Sequence, residues 1–124
     1  MEKLLFSNLI FLIFSASAQD YPRFALLIGN SNYKGGTNYL SNPINDIDTM
    51  EAKLNNCHFN VKKAKDVQTI DEFRSILQKF LDTINQQKNC YVLFYYSGHG
   101  VQHETDNYLI PVKANITSGK DIVR

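Results

Sequence analysis

Tyr91-Val92-Leu93-Phe94-Tyr95-Tyr96-Ser97-Gly98-His99-Gly100 is the stretch on which the architecture turns. Six apolar or aromatic residues in succession suit a strand covered on both faces, as strands of parallel sheets are. The serine and the glycines then stop it. A second run of this kind lies upstream, where Phe24-Ala25-Leu26-Leu27-Ile28 is cut off by Gly29-Asn30. Between the two, Pro43 opens a helical pattern with Ile44, Ile47, Met50 and Leu54 on one face. Proline suits a first helical turn, where its missing N–H would have no partner anyway. His58 to Lys65 alternates more weakly and reads as a strand, with Phe59, Val61 and Ala64 pointing inward although the last is out of phase. Thr69-x-x-Glu72 is a capping box. It starts a helix whose Phe73, Ile76, Leu77, Phe80, Leu81 and Ile84 form one apolar stripe. Burial of all six would contribute about 9–18 kcal/mol before entropy is subtracted. Beyond the opening stretch, Asn107 to Pro111 reads as a hairpin-like edge piece, because proline cannot serve a central strand. The order β-α-β-α-β predicts an α/β three-layer sandwich with a mainly parallel sheet.

The rest of the chain narrows the class. At 124 residues it holds one domain at most, and 44% hydrophobic with 20% charged residues is the composition of a globular protein. A net charge of +1 with scattered basic residues argues against nucleic-acid binding. Lys62, Lys63 and Lys65 read as a solvated strand face, and Asp48 as a solvated helix residue. Cys57 and Cys90 have neither metal spacing nor a disulfide framework and are expected to be buried free thiols. No metal or other cofactor is implied. Residues 1–18 read as a secretory signal peptide: a short polar start, a broken apolar stretch, and an Ala16-Ser17-Ala18 cleavage pattern before Gln19. The stretch is too short to span a bilayer. The expected organisation is therefore a leader over 1–18 and a domain over 19–124, exported and without a stable membrane anchor after cleavage. Asn115-Ile116-Thr117 fits a glycosylation sequon. His58 reads as a turn residue and His103 as an exposed loop residue.

In open parallel sheets, ligands bind beyond the carboxyl ends of the strands. That edge collects Gly29-Asn30 and Ser97 to Gly100, so chemistry belongs there. His99 stands out. A neutral imidazole between two glycines can relay a proton to or from a thiol or a leaving amine, and glycine lets a substrate approach the main chain closely. The N–H of Gly100 could serve as an oxyanion donor. Position alone leaves a merely structural loop histidine as an equal alternative.

Tyr95-Tyr96-Ser97-Gly98-His99-Gly100 resembles the catalytic-histidine motif of caspase-like cysteine peptidases in their metacaspase and paracaspase form. Three further segments resemble the same family in order: Arg23 to Asn30 with Tyr33, Leu40 to Leu54, and Asn107 to Pro111. The likeness covers residues 22–113. It implies a cysteine-type endopeptidase region, the N-terminal portion of a p20 domain, with the fold incomplete at its C-terminus. His99 would be the catalytic histidine and Gly100 its oxyanion-hole neighbour. Asp46 would line the pocket for the residue before the scissile bond and select Arg or Lys there, since a buried charge needs a partner. Asp46 is also simply a favourable charge at a helix N-terminus. Asn42 stands where true caspases carry an arginine for substrate aspartate, which also favours basic substrates.

In the family the nucleophilic cysteine follows the histidine by about 50 residues. Here 25 residues follow His99 and none is cysteine. The expectation is an inactive chain that needs a thiol supplied from beyond Arg124, acting on peptide or protein substrates. The alternatives are a non-catalytic caspase-like pseudoenzyme or binding module, and an unrelated α/β hydrolytic or nucleotide-binding domain sharing only the architecture.

Overall fold

A computed structural model of the chain describes residues 20–33, 39–103 and 105–114. The expected leader and the sequon at Asn115 lie outside the described residues. Strand β1 (Arg23–Gly29) leads to helix α1 (Pro43–Asn56), then β2 (Phe59–Lys65), α2 (Ile70–Asn85) and β3 (Tyr91–Ser97). A hairpin of β4 (Gly100–His103) and β5 (Asp106–Leu109) follows. The sheet runs β2-β1-β3, all parallel, so the strand with the longest unbroken aliphatic run takes the centre. Its Phe24 to Ile28 are all buried. The register leaves Gly29, Lys65 and Ser97 level at one edge of the sheet.

Alternation along β1 sorts the core into two layers, because successive side chains leave opposite faces of a strand. Ala25 and Leu27 pack with Ile47 and Leu54 of α1. Phe24, Leu26 and Ile28 pack with Phe73 and Phe80 of α2. Helices therefore cover opposite faces, and the α/β sandwich is the observed arrangement. Ala64, out of phase in the sequence, is explained by the same division: Phe59 and Val61 join the α1 layer, and Ala64 joins the α2 layer.

The capping box forms with one shift. Thr69 Oγ1 accepts from Glu72 N–H at 3.2 Å, while the Glu72 carboxylate takes the N–H of Gln68, not that of Thr69. The stripe on α2 is less buried than its sequence suggests. Phe73 and Phe80 are enclosed, Ile76, Leu77 and Ile84 are half-buried, and Leu81 is 37% exposed. On the same side of the sheet, Val92 and Phe94 of β3 stay 49% and 46% exposed.

Several surface readings are corrected. Asp48 is not merely solvated: its carboxylate accepts from Lys63 Nζ at 2.7 Å and Lys65 Nζ at 3.0 Å, and Lys63 also pairs with Glu51. Those two lysines are thus clamped to α1. The cysteines are free but not buried: Cys57 caps α1 in the open and Cys90 is half-buried against the α2 layer. His103 is the last residue of β4 and not part of a loop. His58 is indeed a turn residue, with φ of 61°.

Candidate active site

Two close approaches bring the site together. At Gly29, a Cβ would lie 2.7 Å from the Pro43 carbonyl oxygen and 2.9 Å from Ile47 Cδ1. Glycine there lets the start of α1 sit directly on the end of β1, which carries Asp46 to the carboxyl edge of the sheet. Ser97, the last residue of β3, donates from its hydroxyl to Asp46 Oδ2 at 2.9 Å. At Gly98, a Cβ would lie 2.5 Å from the Tyr96 hydroxyl and 2.6 Å from that of Tyr33. The chain can turn into the histidine loop only because this side chain is missing.

His99 is half-buried in that loop, its ring edge-on to Tyr33 with centroids 4.5 Å apart. Its main chain is held on both sides. The His99 N–H donates to the Tyr33 hydroxyl at 2.8 Å. Its carbonyl accepts from the Tyr96 hydroxyl at 2.9 Å and from Ile110 N–H at 3.1 Å. Behind these lies the Ile110 carbonyl oxygen, with Asn30 Nδ2 at 3.2 Å, Tyr33 Oη at 3.1 Å and Tyr96 Oη at 3.1 Å. Proton bookkeeping orders the cluster, since each phenol has one proton and a carbonyl two lone pairs. Tyr33, already an acceptor of the His99 N–H, donates to Ile110. Asn30 fills the second lone pair, leaving the Tyr96 proton for the His99 carbonyl. Burial, reinforced by the Tyr33 hydroxyl, pushes the Tyr96 phenol above its ordinary range and keeps it a neutral donor.

The Ile110–His99 bond flanks the Gly100–Leu109 pair, which makes that pair a non-hydrogen-bonded one of the antiparallel ladder. The Gly100 N–H is therefore aimed away from β5, as an anion-binding donor requires.

Neither described thiol can meet His99. Cys57 ends α1 beside the start of β1, where its carbonyl accepts from Arg23, and Cys90 immediately precedes β3. Both lie at the amino edge of the sheet. Seven-residue strands put that edge about 20 Å from the carboxyl edge.

Over residues 22–124 the sequence matches the family described as the caspase domain. The chain belongs to the caspase domain family. Its relatives include the human mucosa-associated lymphoid tissue lymphoma translocation protein 1, 34% identical over 90 residues. That alignment takes in 73% of this chain and 10% of the relative, so the chain spans a small part of the relative's length. The resemblance to caspase-like cysteine peptidases, and the fold it implies, are thereby established.

Within this caspase domain the structure brings Asp46, Ser97, His99 and Gly100 to one edge. It adds contacts that the sequence did not reveal. Asn30 is fully buried, and its Oδ1 accepts from Val67 N–H at 2.9 Å. Asp66, in the left-handed region at φ 52°, follows β2 and accepts from the N–H groups of Ser31 and Asn32 at 2.7 and 2.9 Å. It thus fixes the loop that delivers Tyr33. The only hint in the sequence was an Asp at a strand end, a residue type that tolerates positive φ.

Proposed function

We propose that this caspase domain carries the proton-transfer and substrate-recognition half of a cysteine endopeptidase, with His99 as its general acid–base. A thiolate from outside the 124 residues attacks the scissile carbonyl. The carbonyl carbon–sulfur bond forms as the π electrons move onto oxygen, and the Gly100 N–H stabilises that oxyanion. His99 then gives a proton to the amine as the carbon–nitrogen bond breaks. Water then attacks the thioester carbon as His99 takes its proton; the carbon–sulfur bond breaks, the acyl group leaves as the acid, and the thiolate and protonated His99 are restored.

Asp46 is the proposed determinant of specificity for Arg or Lys before the scissile bond. Its carboxylate is oriented by the Ser97 hydroxyl at the same edge as His99, and a guanidinium would bind it as a forked pair. The convergence of these groups at one sheet edge, with both described cysteines at the other, carries the reading. We also propose export of the protein, on the leader-like pattern of residues 1–18.

The test compares the full-length protein with the 124-residue chain on fluorogenic peptides ending in Arg, Lys or Asp. The expected result is cleavage after Arg and Lys by the longer protein, loss of it in His99→Ala, and none by the short chain. Cleavage by the short chain would refute the external thiol, and cleavage after Asp alone would refute the role of Asp46. A full-length protein inert toward all three would favour the non-catalytic alternative.

A further inference from the structure

We infer that Tyr33 is the positioning residue for His99, acting through the histidine main chain and through ring contact. Three observations carry this. The Tyr33 hydroxyl accepts the His99 N–H at 2.8 Å, which is the shortest contact in the cluster. Its ring meets the imidazole edge-on at 4.5 Å between centroids. Tyr33 is buried, so water is a poor substitute for either contact.

The remaining groups explain why this one side chain can set the histidine's place. Tyr33 reaches the cluster from the loop after β1, whereas His99 follows β3. The two are 66 residues apart in sequence. The loop is fastened beneath by Asp66, and Asn30 fastens the segment after β2 by accepting from Val67. Tyr33 thereby joins the loops after β1 and β3, and donates in turn to the Ile110 carbonyl after β5. Without its hydroxyl, the His99 amide loses its acceptor and the residue is held only on its carbonyl side, by Tyr96 and the Ile110 N–H. Tyr33 touches no reacting bond. Its effect is on where the imidazole waits.

The catalytic consequence rests on the peptidase reading, but the clamp itself does not. Tyr33→Phe keeps the ring and removes only the hydroxyl, and Tyr96→Phe leaves the Tyr33 acceptor in place. Both are made in the full-length protein beside Tyr39→Phe, an exposed control. Amide hydrogen exchange at His99 is read first. Tyr33→Phe should speed it by about tenfold or more, while Tyr96→Phe and Tyr39→Phe should change it by less than about threefold. Turnover of an Arg-ending peptide is read second. Tyr33→Phe should lower kcat about tenfold and leave KM within about twofold, the split expected when a reacting group is misplaced but substrate binding is intact. Unchanged His99 exchange in Tyr33→Phe would overturn the clamp. Faster exchange with an unchanged kcat would overturn the positioning role. A parent protein without turnover would overturn the peptidase reading, and the exchange result would still decide the clamp.

Discussion

Replacing Asn30 with alanine should cost more than any comparable change at a polar residue of this domain. Asn30 is fully buried and serves two partners, accepting from Val67 N–H at 2.9 Å and donating to the Ile110 carbonyl at 3.2 Å. The two losses are unequal. Val67 is itself buried, so its orphaned N–H forfeits hydration without compensation, which costs about 1–3 kcal/mol. Ile110 retains the Tyr33 phenol as a donor at 3.1 Å, so its share is nearer the ordinary net value of about 0.5–1.5 kcal/mol. Asn30→Ala should therefore destabilise by about 2–4 kcal/mol in urea unfolding, with an unchanged m-value. Asn30→Asp separates the two roles. It keeps an acceptor for Val67 but sets a carboxylate against a carbonyl oxygen in a buried site. At neutral pH it should be at least as damaging as alanine. Burial would raise the introduced carboxyl's folded-state pKa, and a protonated acid donates again. Stability relative to wild type should thus recover as pH falls through that folded pKa. A loss below about 1 kcal/mol in Asn30→Ala, or no acid recovery in Asn30→Asp, would refute the assigned donor and acceptor roles.

Gly98→Ala should displace the histidine loop, because its Cβ falls within 2.6 Å of two phenol oxygens; peptide turnover should drop at least about 100-fold. Ser97→Ala frees the Asp46 carboxylate, so KM for an Arg-ending peptide should rise about 3–10-fold with kcat nearly constant, measured by steady-state kinetics. The Asp48–Lys63–Lys65 cluster should make stability pH-dependent at both extremes. Hydrogen bonds from Lys63, then Lys65, hold the Asp48 carboxyl below its usual range, so its contribution is present above the unfolded-state pKa of about 3.9 and is lost as pH falls through its lower folded value. Hydrogen bonds to Asp48, then Glu51, hold the Lys63 ammonium above its usual range, so that contribution is lost as pH rises through its folded value. The stability gap between wild type and Asp48→Asn, followed by thermal unfolding, should be level around neutrality and close in strong acid. A gap widening in acid would refute the pairing.

Much of this domain is legible in its amino-acid sequence. The runs at 24–28 and 91–96 announced strands of a parallel sheet, because residues apolar on both parities suit burial on both faces; 24–28 is buried throughout, whereas Tyr91, Val92 and Phe94 are exposed. Thr69 and Glu72 marked a helix start through a local interaction, which sequence records well. The less legible parts depend on distant partners. Asn30 and Tyr33 meet the Ile110 carbonyl across 80 and 77 residues, and nothing in either neighbourhood announces that meeting. Asp48 looked solvated because its lysines arrive from a strand 15 and 17 residues later. Four-residue β4, Gly100–His103, is too short and too mixed to show alternation. The residue type of Cys57 suggests an interior place, whereas its position at the end of α1 leaves it in the open. His99, Gly100 and Asp46 were legible as a group only through their motif likeness. The Asp46–Ser97 bond, which ties two of those segments, was not.

The single carbonyl oxygen of Ile110 has a consequence for how this protein can change. The loop after β1 and the segment after β5 meet at that one atom, and Tyr33 of the same loop holds the His99 main chain, so the place of the histidine loop is set as the protein folds. On the proposed peptidase reading, robustness to heat and readiness for reaction rest on the same few polar groups. A variant selected for a looser, more adaptable histidine loop would be expected to surrender thermal tolerance in the same step.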